Sequence, residues 1–231
     1  MNDTKQTEES FQMRMVGCGE RISYRCQRCA DCCRNVEDAV MIEPQDIYYL
    51  ARFLRARGEA ADGLESLLDQ YAHPVFITDG YPGFMLNTVG EDHTCIFLKD
   101  GKCSVYNARP RVCRLYPFGV APGEAGQDFR YYLCTDKPHH FGCGSVVAGE
   151  WISANFSKET QEYLKSEYAL LPEIGRTVRA MDDAQFKAIL FRFLFYRYFN
   201  YDLGKPFLPQ YRKNCSQLKA LLSGERSNHV R

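Results

Sequence analysis

The chain has 231 residues, 45% hydrophobic and 25% charged, an ordinary balance for a globular domain with its own core. Its 29 Lys and Arg offset 29 Asp and Glu, so the formal net charge is zero. That excludes strong global attraction to nucleic acid or acidic membranes, and neither is expected as a partner. The abnormal number is 11 cysteines.

Residues 1–17 read as a polar, flexible arm. The run MNDTKQTEESFQMRMVG carries acids early and lacks the apolar stretch of about 7–15 residues that a secretory signal needs. No segment reaches about 18 uncharged apolar residues, so no membrane span is expected and the expected compartment is the cytoplasm. Pro44 opens a predicted helix to Arg57, stopped by Gly58, with Ile47, Leu50, Ala51 and Leu54 at helical spacing. A second helix is predicted from Leu64 to Tyr71. Strands are predicted at Val75 to Thr78 and Phe84 to Val89, about the turn Asp79-Gly80-Tyr81-Pro82-Gly83. Cys95 to Leu98 and Lys102 to Tyr106 read as a hairpin. Residues 182–200 form the strongest predicted helix, apolar nearly all round and therefore expected between layers. Asn214 is expected to cap a last helix that ends near Gly224. The fold class that follows is α+β, mainly helical with short β-hairpins, in which a cysteine-rich core is organised by metal and followed by C-terminal helices.

Nine cysteines fall between residues 26 and 143, and only Cys18 and Cys215 lie outside. The chain is therefore divided into the arm 1–17, a cysteine-bearing domain 18–150, and a helical region 151–231 packed on it. In a reducing compartment structural disulfides are rare, so clustered cysteines read as metal ligands or redox groups.

The segment Cys26-Gln27-Arg28-Cys29-Ala30-Asp31-Cys32-Cys33 has the pattern C-x2-C-x2-C-C. Two residues between thiolates let one turn of backbone aim both sulfurs at a common ion, as zinc or a [4Fe–4S] cluster requires. Gln27, Arg28, Ala30 and Asp31 would make a poor core strand, which weakens the alternative of buried, inert thiols. The adjacent pair Cys32-Cys33 points in divergent directions on either a helix or a strand. It serves two centres, or holds one ligand and one reserve thiol.

In Cys95-Ile-Phe-Leu-Lys-Asp-Gly-Lys-Cys103, a three-residue loop with Gly101 in the left-handed position is predicted, which faces Leu98 with Lys102 and puts Cys95 and Cys103 on one face. A two-residue Asp-Gly loop would put them on opposite faces. Arg109, Arg111 and Arg114 then crowd Cys113. A tetrathiolate zinc site or an oxidised four-iron cluster carries a charge of roughly −2, which guanidinium groups would offset. Arg109 and Arg114 are the candidates beside a cofactor, with an ordinary ion pair or an anion site as alternatives.

These residues resemble the YkgJ-type cysteine-cluster family of zinc- or iron-chelating CxxCxxCC proteins. The resemblance rests on Cys26, Cys29, Cys32 and Cys33, on Cys95-x7-Cys103, and on Tyr106-x2-Arg109-Pro110-x2-Cys113-Arg114-x-Tyr116-Pro117, in order over 26–117. The Cys143-Gly144 segment resembles a late cysteine of the family domain. Ala30 stands where Gly is expected in many relatives, which bears on turn geometry. The resemblance implies a metal-chelating domain. A larger relative that is a flagellin lysine methylase raises an enzymatic alternative.

The candidate ligands are thus Cys26, Cys29, Cys32, Cys33, Cys95, Cys103, Cys113, Cys134 and Cys143, for zinc or an iron–sulfur cluster of undecided identity. Two four-thiolate centres would use eight of these nine. His93, His139 and His140 lie close in sequence to Cys95, Cys134 and Cys143, although a His in such a place is more often structural. No Walker A, G-x-S-x-G or H-E-x-x-H segment is present. The functional readings are a cytosolic metal-binding protein, a cluster-dependent redox enzyme or methylase relative, and a metal-delivery or interaction protein with a protein partner.

Overall fold

The computed structural model describes residues 13–59, 63–77, 82–123 and 128–227. It is an α+β fold in which short strands make small antiparallel sheets and helices fill most of the C-terminal third. Of the arm 1–17, residues 1–12 lie outside the described residues and Met13–Met15 form strand β1. Strand β2, Arg21–Tyr24, alternates exposed and buried positions, and a 3-10 turn follows at Asp31–Cys33. Strand β3 is Met41–Ile42, and helix α1 spans Pro44–Ala56. Pro44 sits in its first turn, Glu43 and Asp46 form a capping box, and Gly58 follows with φ +71°. The predicted inner face, Ile47, Leu50, Ala51 and Leu54, is buried.

Helix α2, Leu64–Tyr71, runs straight into strand β4, Ala72–Phe76, which pairs with β5, Pro82–Leu86. The first of these strands therefore begins three residues before the predicted Val75. Residues 78–81 of the intervening turn lie outside the described residues. The predicted single strand to Val89 is divided. Asn87 breaks it, donating its N–H to Tyr71 O and accepting from Ile96 N, and β6, Thr88–Val89, pairs instead with β7, Thr94–Cys95.

Strands β8, Leu98–Lys99, and β9, Lys102–Cys103, pair Leu98 with Cys103 and Lys99 with Lys102. The loop is thus the two-residue Asp100-Gly101 form, not the three-residue one. Both residues have positive φ, 51° and 69°, which matches the type I′ turn that suits strand twist. Cys95 and Cys103 still approach each other, because the chain turns at residues 96–97 and releases Cys95 from that hairpin.

Helix α3, Arg111–Leu115, leads to the hairpin of β10, Phe118–Pro122, and β11, Phe129–Cys134, on which β1 adds a third strand. Strand β12, Phe141–Val147, pairs with β2 and is irregular between Phe141 and Val146. Gly142 and Gly144 adopt positive φ there, and a Cβ on Gly144 would lie 2.8 Å from Arg25 Cβ and 3.0 Å from Tyr24 O. Glycine is needed at 144 for Cys143 to bulge out against β2.

Helices α4, Ala148–Asn155, α5, Lys158–Arg179, α6, Asp183–Leu194, and α7, Phe207–Ser227, complete the chain, with a π-turn at Phe195–Phe199. The main hydrophobic cluster reaches from Val16 to Tyr211 and so includes residues of both regions. A second cluster joins Leu170, Ile174 and Val178 of α5 to Ile189, Phe193, Leu218 and Leu222. The expectation that residues 182–200 are buried all round is not met. Ile189, Phe193, Arg197 and Tyr198 are buried while Phe191 is 67% exposed, so the helix covers a core with one face. Asn214 is not a cap either. It lies buried within α7, where it accepts from Asn200 Nδ2 at 2.8 Å and donates to Asn200 O at 2.9 Å.

Candidate metal centre

The loop that carries the first four candidate ligands is shaped by left-handed residues. Arg28 and Ala30 have φ of 53° and 64°, and Ala30 precedes the 3-10 turn bearing Cys32 and Cys33. A left-handed conformation is the physical reason a glycine would suit position 30. All 11 cysteines are free thiols.

Helix α3 is fixed to α1 by charge. Arg111 Nε and Nη2 donate to the two Glu43 carboxylate oxygens at 2.8 and 2.6 Å, and the Arg111 N–H donates to Asp46 Oδ1 at 2.8 Å. Asp46 is buried, which together with Glu43 raises its pKa to about 7. Arg111 is therefore committed to an ion pair, and the bond it anchors presents Cys113 inward. Arg109 is different. Its guanidinium lies 3.7 Å from the Tyr106 ring centroid, on the cavity described below. Arg114 Nη1 donates to Arg109 O at 2.8 Å and so holds that backbone in place.

Cys32, Cys33, Cys95, Cys103 and Cys113 come together from the 3-10 turn, β7, β9 and α3, close enough to perturb one another's ionisation. A hydrogen bond from Cys33 and then the charge of Arg109 bring the Cys32 thiol down to about 7 against the opposing effect of burial. The Cys33 thiol is pushed far up by that same bond and by burial. Burial also raises Cys95, Cys103 and Cys113. Neutral thiols crowded in this way have the donor chemistry of a soft-metal site, because a bound cation supplies the charge that lets them deprotonate together.

A cavity of about 80 Å³ opens beside this group. Cys26, Cys29, Cys32 and Cys113 line it, with Arg109 and His140 opposite and Tyr24, Tyr116 and Trp151 forming apolar walls. Trp151 Nε1 donates to Leu115 O at 3.1 Å, so helix α4 closes the site from the C-terminal region.

The remaining candidates sit at the edge. Cys134 Sγ donates to Asp136 Oδ1 at 3.1 Å, and burial raises its pKa to about 11. Cys143 Sγ accepts from Gln27 Nε2 at 3.7 Å, and the same Gln27 donates to His139 O at 2.9 Å. Of the non-ligand thiols, Cys215 packs on α7 against both hydrophobic clusters, and the Cys18 carbonyl accepts from Gly149 N. His93 faces Glu37 at 3.4 Å on the surface.

His139 and His140 lie in the site. Among the described residues, the group of three Cys, His or acidic side chains whose ligand atoms lie mutually within 4.8 Å is Cys29, His139 and His140. Burial, and then His139, lower the His140 pKa. Tyr24, Tyr116, Asp136 and Trp151 were not legible as site residues from spacing. Only Tyr116 carried a signal, as part of the Tyr-Pro pair after Cys113.

Residues 25–135 match the CxxCxxCC family, described as a "putative zinc- or iron-chelating domain". This segment is similar to that family's domain, and the match covers the loop, the hairpin and α3 with every thiol of the central group. It is also similar to an uncharacterized protein of Methanocaldococcus jannaschii, 33% identical over 101 residues, 43% of this chain and 47% of that protein. The chain thus spans about half the length of that relative. No solved structure matches. The family and the Cys/His grouping both support metal binding, and among the described residues no helix is long and apolar enough to cross a membrane.

Proposed function

We propose that the protein is a thiolate metal protein of a reducing compartment and that its central thiols hold a [4Fe–4S] cluster in preference to a single zinc ion. The observation that carries this reading is the spacing of Cys32, Cys33, Cys95, Cys103 and Cys113. A tetrahedral zinc–thiolate site with Zn–S of about 2.3 Å brings its sulfurs within about 3.8 Å of one another. Among the described residues no three of these thiols meet even a 4.8 Å limit, yet they perturb one another, and Cys32 and Cys113 border a cavity. A looser ring of thiols around a space suits a polynuclear centre. Cys26 extends that ring, and the Arg109 guanidinium would offset the negative charge of a thiolate-ligated cluster.

The residues act by holding and shielding. Cys32, with its depressed pKa, would be the thiol readiest to hold a metal, and Cys33, Cys95, Cys103 and Cys113 would ligate it as thiolates. Tyr24, Tyr116 and Trp151 limit water at the site.

Anaerobic purification with iron, sulfide and zinc analysis and an optical spectrum tests the reading. Stoichiometric iron and sulfide with broad visible absorption are expected. A colourless protein with tightly bound zinc at the central thiols would replace the cluster by zinc. Metal-free protein with disulfides would remove the reading altogether.

A further inference from the structure

The central thiols leave a different donor set unused. Cys29 Sγ lies 3.6 Å from His139 Nε2 and 3.1 Å from His140 Nε2. Two tetrahedral ligands of one zinc ion, with Zn–S of about 2.3 Å and Zn–N of about 2.05 Å, stand about 3.6 Å apart. The His139 distance has that value, and the His140 distance needs to open by only about half an ångström.

The hydrogen bonds around His140 add an independent point. Tyr116 Oη donates to Asp136 Oδ1 at 3.1 Å, so its oxygen is left to accept from His140 Nδ1, 3.3 Å away. A proton on Nδ1 leaves the Nε2 lone pair free, and that lone pair faces Cys29. His140 is only 3% exposed and is held edge-on by Tyr24 and Tyr116. An imidazole whose far nitrogen is engaged by a hydroxyl–carboxylate pair is oriented as metal-binding histidines are.

We propose that Cys29, His139 and His140 form a second metal site, separate from the central thiols, for a single divalent cation of the zinc class. Three protein ligands leave one coordination position open, and the exposed His139 and the adjoining cavity give it access to solvent or an incoming ligand. Binding releases the Cys29 thiol proton to solvent, and both imidazoles bind as neutral bases. Tyr116 and Asp136 are positioning residues. The site uses His139 and His140, which lie beyond the family-matched segment 25–135.

The test is zinc uptake by the full chain against a competing chelator, with iron and sulfide measured on the same samples. Wild type is expected to bind one zinc equivalent more than the His139→Ala/His140→Ala variant, while iron and sulfide, or whatever metal the central thiols hold, stay unchanged. Tyr116→Phe is expected to keep the stoichiometry and weaken this zinc by about 10–100-fold. Unchanged zinc stoichiometry in the double variant would overturn the proposal. So would simultaneous loss of all metal, since the histidines would then belong to the central centre. If the double variant does not fold, imidazole nitrogen NMR on wild type decides. Zinc is expected to shift His140 Nε2 with Nδ1 still protonated, and no shift at either histidine would sink the second site.

Discussion

Two polar centres of this molecule are built on opposite principles. In the helical region Glu167 of α5 accepts from Arg197 Nη1 and Nη2 at 2.9 and 2.5 Å and from the Tyr211 hydroxyl. Glu167 and Arg197 are each 4% exposed, and Tyr163, Tyr211 and Phe207 pack about them. The carboxylate is neutralised by protein alone. In the cysteine-bearing region the central thiols have no comparable partner among the described residues. Arg109 is the cation acting on Cys32 and Cys103, and burial first, then neighbouring thiols, raise Cys95 and Cys113. One centre balances its charge within the protein, and the other has a charge balance that a metal would complete.

The largest effect expected from this contrast is in the Glu167 centre. Glu167→Ala leaves the Arg197 guanidinium buried without its counterion and should destabilise the protein by about 3–5 kcal/mol. Denaturant unfolding of metal-loaded and chelator-treated protein should give the same loss. A loss confined to the metal-loaded form would mean that the two centres are coupled and would break the comparison.

Metal removal probes the other side. A ligand that binds only the folded state at a hundred to a thousand times its Kd stabilises by about 3–4 kcal/mol. Chelation should therefore lower stability by about that amount, with hydrogen exchange rising first in the Cys26–Cys33 loop, β7 and α3 and least in α5 and α7. Exchange that rises evenly across both regions would refute a locally organised metal domain.

The two regions also differ in how much of them could be read from the chain. Helices α1 and α2 were legible because Pro44, Gly58 and the Ile47, Leu50, Ala51, Leu54 stripe act within a few residues of one another. The hairpin register was misread because the Asp100-Gly101 pair satisfies a two-residue turn without help. What then aims Cys95 is the turn at 96–97 and its pairing to β6, which hairpin spacing does not contain. Spacing identified the thiol-bearing segments but not which sulfurs share a group. His140 illustrates the limit: its ring is oriented by Tyr116, 24 residues earlier, and by Asp136. The apolar run 182–200 gave no sign of which face would stay outside, since that depends on how α5 and α7 pack against it.

The smallest expected effect isolates Arg109, a cation acting on Cys32. In the metal-free, reduced protein Cys32 is set apart from its neighbours by a pKa of about 7, owed first to Cys33 and then to Arg109. About half of it is thiolate at pH 7, whereas thiols raised by burial are almost wholly protonated there. Alkylation of Cys32 should therefore rise with pH through a midpoint near 7, well before Cys103 and Cys113 react. The sign for stability follows. A thiol whose folded pKa lies below its unfolded value of 9.0 contributes stability that is complete above pH 9.0 and is lost as pH falls through about 7. Arg109→Gln removes one of the two favourable influences and should raise the midpoint by up to about half a unit, slowing alkylation at pH 7 about twofold. Peptide-resolved mass spectrometry reads both. A Cys32 midpoint near 9 in wild type would mean that the thiols do not assemble before metal arrives, and the second centre would then be formed by its ligand instead of awaiting it.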